Sequence, residues 1–197
     1  MLKKYCGLTL LVILPLILAY GCGELGNVDQ GRVVEFDKAK GTVTLIRDMK
    51  GDSKSPDYSH LPPMIYEIPK DPDEMGPEPK AGQRMKLDAK AKQIILFDQA
   101  SQNFKKIDYT LIDQKEGVDE DNPLVKGKKF PLLEKEKKAI TLYSKRQQLL
   151  TTFSVPDEYF ALPASAWDAG DEVRIYYKQP GKALRLMNVS KTNIYKK

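Results

Sequence analysis

A hydrolytic or group-transfer site needs a nucleophile and a base to activate it, and this 197-residue chain holds one histidine and two cysteines. The histidine, His60, closes the polar, turn-rich run from Lys50 to His60 and reads as a solvated loop residue, with nothing nearby for it to activate. Zinc or haem ligation needs His or Cys at ligand spacing, and neither is present in such a pattern. Carboxylates gather twice, in Asp119-Glu120-Asp121-Asn122 and in Asp71, Asp73, Glu74 and Glu78. Calcium wants six to eight oxygens, but neither run has the Asp-x-Asp-x-Asp-Gly order of a calcium loop, so both read as solvated loops. Two carboxylates facing across a cleft would hydrolyse a glycosidic bond, yet no spacing here pairs any two. The glycines form no phosphate-cradling loop. The residue types therefore predict a non-enzymatic protein with no catalytic residues, no metal and no other cofactor.

Aromatic rings are the remaining chemistry. Tyr159, Phe160 and Trp167 share one connecting segment, and Tyr176-Tyr177 follow in the next strand. On small barrels, exposed rings of this kind stack sugars or bases, which makes Trp167, Tyr159 and Phe160 the candidate ligand or partner contacts. The competing reading packs Trp167 beneath its own loop as core. Charge argues against nucleic acid. The chain carries 32 basic and 27 acidic residues, a net of +5 that falls to +3 once Lys3 and Lys4 leave with a leader. The mixed-sign run Glu134-Lys135-Glu136-Lys137-Lys138 reads as a solvated turn, with contact to anionic lipid headgroups as the sharper alternative.

The N-terminus has the parts of an export signal. Lys3 and Lys4 precede an uncharged apolar stretch, Leu8 to Ala19, which is too short to span a bilayer, since spanning takes about 20 residues. Leu18-Ala19-Tyr20-Gly21-Cys22 then sets a small residue before a cysteine. This stretch resembles the bacterial lipobox, in which the cysteine becomes the lipidated first residue of the mature protein. Ala19 and Tyr20 depart from its commonest form, while Gly21 and Cys22 keep its demanding positions. The resemblance implies acyl chains on Cys22 that hold the protein on a membrane facing the periplasm. Gly23 in place of Asp favours the outer membrane. Ordinary signal cleavage or an uncleaved anchor are the competing readings. With Cys6 lost and Cys22 acylated, the mature chain keeps no free thiol and no disulfide, so it must be stable on its core alone. Taken whole, the chain resembles small uncharacterised lipoproteins of sulfate-reducing bacteria, which implies a class and carries no site residues.

The body that such an anchor would hold is predicted to be all-β and duplicated. Residues 32–37 and 42–48 are β-branched, partly alternating and separated by Lys38-Ala39-Lys40-Gly41, a hairpin signature. Val33 to Leu45 registers on Phe130 to Leu142 at an offset of 97. Tyr66-Glu67-Ile68-Pro69 follows on Phe153-Ser154-Val155-Pro156, Lys80 to Leu87 on Asp168 to Ile175, and Lys92 to Phe97 on Lys182 to Met187, at offsets of 87, 88 and 90. The jump places an insertion in the first copy, at the Lys50–His60 loop. Each copy then reads as hairpin, strand, connection and hairpin, the order of a five-stranded OB-type or SH3-like barrel. The connection 157–168 predicts a helical turn with Ser165 as its cap, and the proline-rich 70–79 predicts an irregular loop. Between the copies, 104–113 predicts a single strand with Ile107, Tyr109 and Leu111 on one face. The expected organisation is a signal peptide at 1–21, a lipid-anchored tether at 22–30 that sets the body a few nanometres from the membrane, a first β unit with its extra strand at 31–113, a linker at 114–127 and a second unit at 128–197.

The function these features imply is a lipid-anchored binding or assembly module for another envelope protein or complex. Its membrane contact runs through Cys22, and nucleic acid is not a partner. A receptor for a small ligand or glycan, built on Trp167 and Tyr159, is the alternative.

Overall fold

A computed structural model describes residues 25–52 and 55–192. Residues 1–21, with Cys6, and Cys22 lie outside the described residues, and with them the signal-peptide and lipidation expectations. The body is mostly β, with 43% strand against 7% helix. Among the described residues no helix is long and apolar enough to cross a membrane.

The first hairpin forms where the alternation places it: β1 (Asn27–Asp37) and β2 (Thr42–Arg47) turn at Gly41, whose φ of +67° a residue without a Cβ adopts freely. β1 begins at Asn27, inside the segment expected to be tether, because those residues find a partner strand. Val33 and Val34 point to opposite faces and both are buried, so β1 is central and covered on both sides. β3 (Met64–Glu67) pairs with β2, and a 3₁₀ turn (Pro72–Glu74) follows. That turn, inside a loop expected to be irregular, is capped by the Asp71 carboxylate accepting from the Asp73 N–H.

The remaining strands are β4 (Arg84–Asp88), β5 (Gln93–Asp98), β6 (Asn103–Asp108), β7 (Thr110–Lys115), β8 (Leu132–Glu134), β9 (Ala139–Ser144), β10 (Leu149–Ser154), β11 (Glu172–Tyr177) and β12 (Arg185–Asn188). They form three antiparallel sheets, ordered β12-β11-β1-β2-β3, β7-β10-β9-β8 and β4-β5-β6. None closes into a barrel. The expected OB-type or SH3-like closure is absent because the last hairpin of each expected unit does not return to its own meander. β11–β12 adds to β1, from Asn27 opposite Tyr177 to Arg32 opposite Glu172, while β4–β5 joins β6 in a sheet of its own. The five-stranded sheet curls far enough for two isolated bridges to form, Glu67 to Lys182 and Met75 to Leu186, without a continuous ladder between β3 and β12.

The sheets stack through three apolar clusters. One face of the five-stranded sheet buries Val33, Val43, Leu45, Tyr66, Val173, Ile175 and Leu186. Its other face meets β4 and β5 through Val34, Ile46, Tyr58, Met85 and Phe97. The far side of β4–β6 then packs on β9 and β10 through Leu87, Ile94, Leu96, Ile107, Ile140, Leu142 and Phe153. The strand expected at 104–113 is two: β6 completes one sheet, Tyr109 sits buried in the core, and β7 completes another. Ile107, Tyr109 and Leu111 do face one cluster, as their alternation predicts. The expected linker is tied down in part, with Val118 and Val125 buried and the Val118 N–H donating to Gln148 O at 2.8 Å.

The connection before β11 holds two single-turn helices, α1 (Asp157–Phe160) and α2 (Ala164–Trp167). Pro163 takes the cap position expected for Ser165, which lies inside the turn. Proline suits the start of a helix because the first N–H groups have no intrahelical partner anyway.

Candidate functional site

Charge that is costly to bury collects between the five-stranded sheet and β4. Arg32 lies on the β1 face that carries Gln30 and Val34, directly across from Glu172 of β11. Its Nη1 donates to Arg84 O at 3.0 Å and to Met85 O at 2.9 Å, so one guanidinium spans two sheets. The Arg32 Cζ lies 4.4 Å from the centroid of the Tyr58 ring, a cation–π distance. Arg146, from the β9–β10 turn, reaches Glu172 Oε2 at 2.9 Å, and Gln30 hydrogen-bonds the other oxygen. Arg84 is buried as well, with Nε donating to Trp167 O at 2.9 Å. Burial pushes the Arg32 guanidinium below its ordinary pKa, Arg146 adding to the effect, and lowers Arg84 to about 10, with Arg32 as the second cause. Burial likewise raises the Tyr58 phenol.

The arrangement holds three guanidiniums, one phenol and one carboxylate that is already bridged twice. It supplies neither an activated nucleophile nor a free base, and it acts as a polar clamp joining β1, β4, β11 and the β9–β10 turn. A second buried carboxylate, Asp29, is held by Arg47 Nε at 3.0 Å and by the Tyr66 hydroxyl. Burial and that neighbouring carboxylate push the Tyr66 phenol well above its ordinary range. Among the described residues no group of three or more His, Cys, Asp or Glu is placed to hold a metal ion.

The aromatic candidates are brought together, as core. Trp167 is 0% exposed and its ring lies 6.1 Å from that of Phe153, centroid to centroid. Tyr159 and Phe160 are half-buried against the same cluster. The ring that would stack a sugar therefore has no free face, because α2 turns it inward to fill the space between β4–β6 and β10. Trp167 fluorescence is accordingly expected to resist quenching by iodide or acrylamide in the native protein and to become accessible in 6 M guanidinium. Ready quenching in the native state would contradict this burial. His60 is exposed, and a shallow open cleft of about 530 Å³ is lined by Lys86 to Lys90, Glu116, Gly117, Gln147 and Leu149.

The clamp residues escaped the sequence reading. Arg32, Arg84 and Glu172 look like ordinary surface charges on alternating strands, and Tyr58 sits in a loop of Asp, Ser and Pro. One signal was present: β1 carries apolar residues at consecutive positions, so a charge next to them belongs to a strand covered on both faces.

One family model, described as a domain of unknown function (DUF4881), matches residues 24–197. No curated protein and no solved structure matches the chain.

Proposed function

This chain belongs to that family, and we propose that it is a lipid-anchored, non-enzymatic protein of the bacterial cell envelope that binds or assembles another envelope protein. The lipobox-like Leu18-Ala19-Tyr20-Gly21-Cys22 supports the anchor. The observation that carries the binding role is the free edge of β7. Among the described residues this six-residue strand pairs with β10 alone. Its register breaks between Leu111 and Asp113, so Ile112 is a bulged residue, 55% exposed. Edge strands offer unpaired N–H and C=O groups to another chain, and bulges re-aim a side chain out of the ladder.

The test is in-cell crosslinking of the full-length protein followed by affinity purification, beside Ile112→Lys and Cys22→Ser. An envelope partner that is recovered with the native protein, and lost with Ile112→Lys while membrane attachment persists, is the expected result. A partner set unchanged by Ile112→Lys would remove β7 as the binding edge. The alternative, a glycan or small-ligand receptor stacking on Trp167, has no open indole face to work with.

The same proposal holds that the body is a duplicated unit whose last hairpins are exchanged. The first meander, β1–β3, receives β11–β12, and the second, β8–β10, packs against β4–β5. The crossing point supports this reading. Gly82 and Gly170 occupy matched positions of the two copies, and a Cβ on Gly82 would lie 2.3 Å from Gly170 N. Around them the matched segments pair, Asp171 N donating to Lys80 O at 2.7 Å and Arg84 N to Asp168 O at 2.8 Å.

A further inference from the structure

The end of the five-stranded sheet at which β1 begins gathers exposed apolar side chains. Leu25, Val28, Met49 and Leu184 are four of the eight large hydrophobic residues exposed among the described residues. Their placement follows from the pairing. Val28 stands opposite Tyr176, and the Leu184 N–H donates to Tyr176 O at 2.8 Å. The Asp48 N–H donates to Gln30 O at 2.8 Å, which brings Met49 level with the first residues of β1. The chain crosses the Tyr176 ring at Gly26, where a Cβ would lie 2.3 Å from a ring carbon. The exposed cations Lys50 and Lys178 follow Met49 and Tyr177 in the chain, and exposed Arg174 stands opposite Gln30, to which it donates.

The length of chain behind it is the second observation. Two residues, Gly23 and Glu24, separate Cys22 from Leu25, and the three steps between them reach about 10 Å when fully extended. The headgroup layer of one leaflet is about 5–8 Å thick, from the difference between the whole bilayer and its hydrocarbon core. Acyl chains on Cys22 would therefore leave almost no stalk, in place of the few nanometres expected from a tether reaching residue 30. We propose that this end of the sheet rests on the membrane surface, with Leu25, Val28, Met49 and Leu184 at the boundary between headgroups and acyl chains and the neighbouring cations toward anionic headgroups. The inference rests on the lipid-anchor reading of Cys22.

The test uses the full-length, membrane-purified protein. With Cys6 removed and the Cys22 thiol blocked by its lipid, an introduced cysteine is the single free thiol. Met49→Cys and Leu184→Cys, with the exposed Leu132→Cys on the four-stranded sheet as the comparison site, are labelled with an environment-sensitive fluorophore. Each is reconstituted into phosphatidylethanolamine–phosphatidylglycerol vesicles that contain a lipid-borne quencher. Buried Trp167 emission verifies that each variant is folded. Quenching several-fold stronger at 49 and 184 than at 132 is the expected result. Equal quenching at all three sites in protein that floats with the vesicles overturns the docking and leaves the anchor standing. Shielding of 49 and 184 from an aqueous quencher without quenching from the lipid also overturns it, and assigns this end to a protein or to a second copy. Full-length protein that fails to float, and behaves as Cys22→Ser does, overturns the anchor and the docking together.

Discussion

Gly170→Ala is expected to cost about 3 kcal/mol or more in unfolding free energy, a fall in Tm of roughly 10 °C for a protein of this size. Two effects add. Gly170 has a φ of +28°, where an L side chain is strained by about 1–2 kcal/mol. A Cβ there would also lie 2.1 Å from Val33 O and 2.9 Å from Gly82 N, and both of these are backbone atoms that no rotamer change can move aside. Val33 O already accepts from the Gly82 N–H at 3.1 Å, so relieving the clash breaks a hydrogen bond on the central strand of the five-stranded sheet. Gly117→Ala is the control, since Gly117 has a φ of +67° and nothing within 4 Å of its would-be Cβ. It should lose only the conformational part. Thermal and urea melts of both variants decide the matter. Equal losses would mean that the crossing of the two segments is not tight.

Glu172→Leu is expected to cost about 3 kcal/mol, the lower end of what breaking a buried charge pair from one side costs. Its carboxylate stands opposite Arg32 and binds the more exposed Arg146, so removal leaves the buried Arg32 guanidinium without its nearest counter-charge and Arg146 without its partner. Arg32→Met alone should also destabilise, because the carbonyls of Arg84 and Met85 lose their shared donor. Combined, the two substitutions should cost clearly less than the sum of the separate losses, since each removes the partner that the other leaves stranded. A double-mutant cycle in urea measures this. Glu172→Leu within about 1 kcal/mol of the native protein, or strict additivity, would show that the clamp is solvated and carries little energy.

Both predictions concern features that tertiary structure created. Alternation in a strand reports which side chains share a face, and it does so from local sequence. That is why the β1–β2 hairpin with its turn at Gly41, and the common face of Ile107, Tyr109 and Leu111, were legible residue by residue. The competing reading of Trp167 as core was legible too, because a large apolar ring is best buried beneath the loop that carries it. Alternation is silent on which strand lies alongside. β11 has the same residue pattern whether it closes a barrel with β8–β10 or joins β1, as it does. The Arg32–Glu172 pairing follows from that choice alone, across 140 residues of sequence. The contact of Gly82 with Gly170 is likewise set only once the two segments cross.

From sequence by itself, then, come the mostly β class and the local strand faces, both of them properties of neighbouring residues. The open sheets, the clamp of buried Arg32, Tyr58 and Glu172 with the exposed Arg146, and the apolar end at Leu25 and Val28 were decided by tertiary structure. Each depends on which distant strands pair, and backbone hydrogen bonding makes that pairing possible for any strand while side-chain packing selects one.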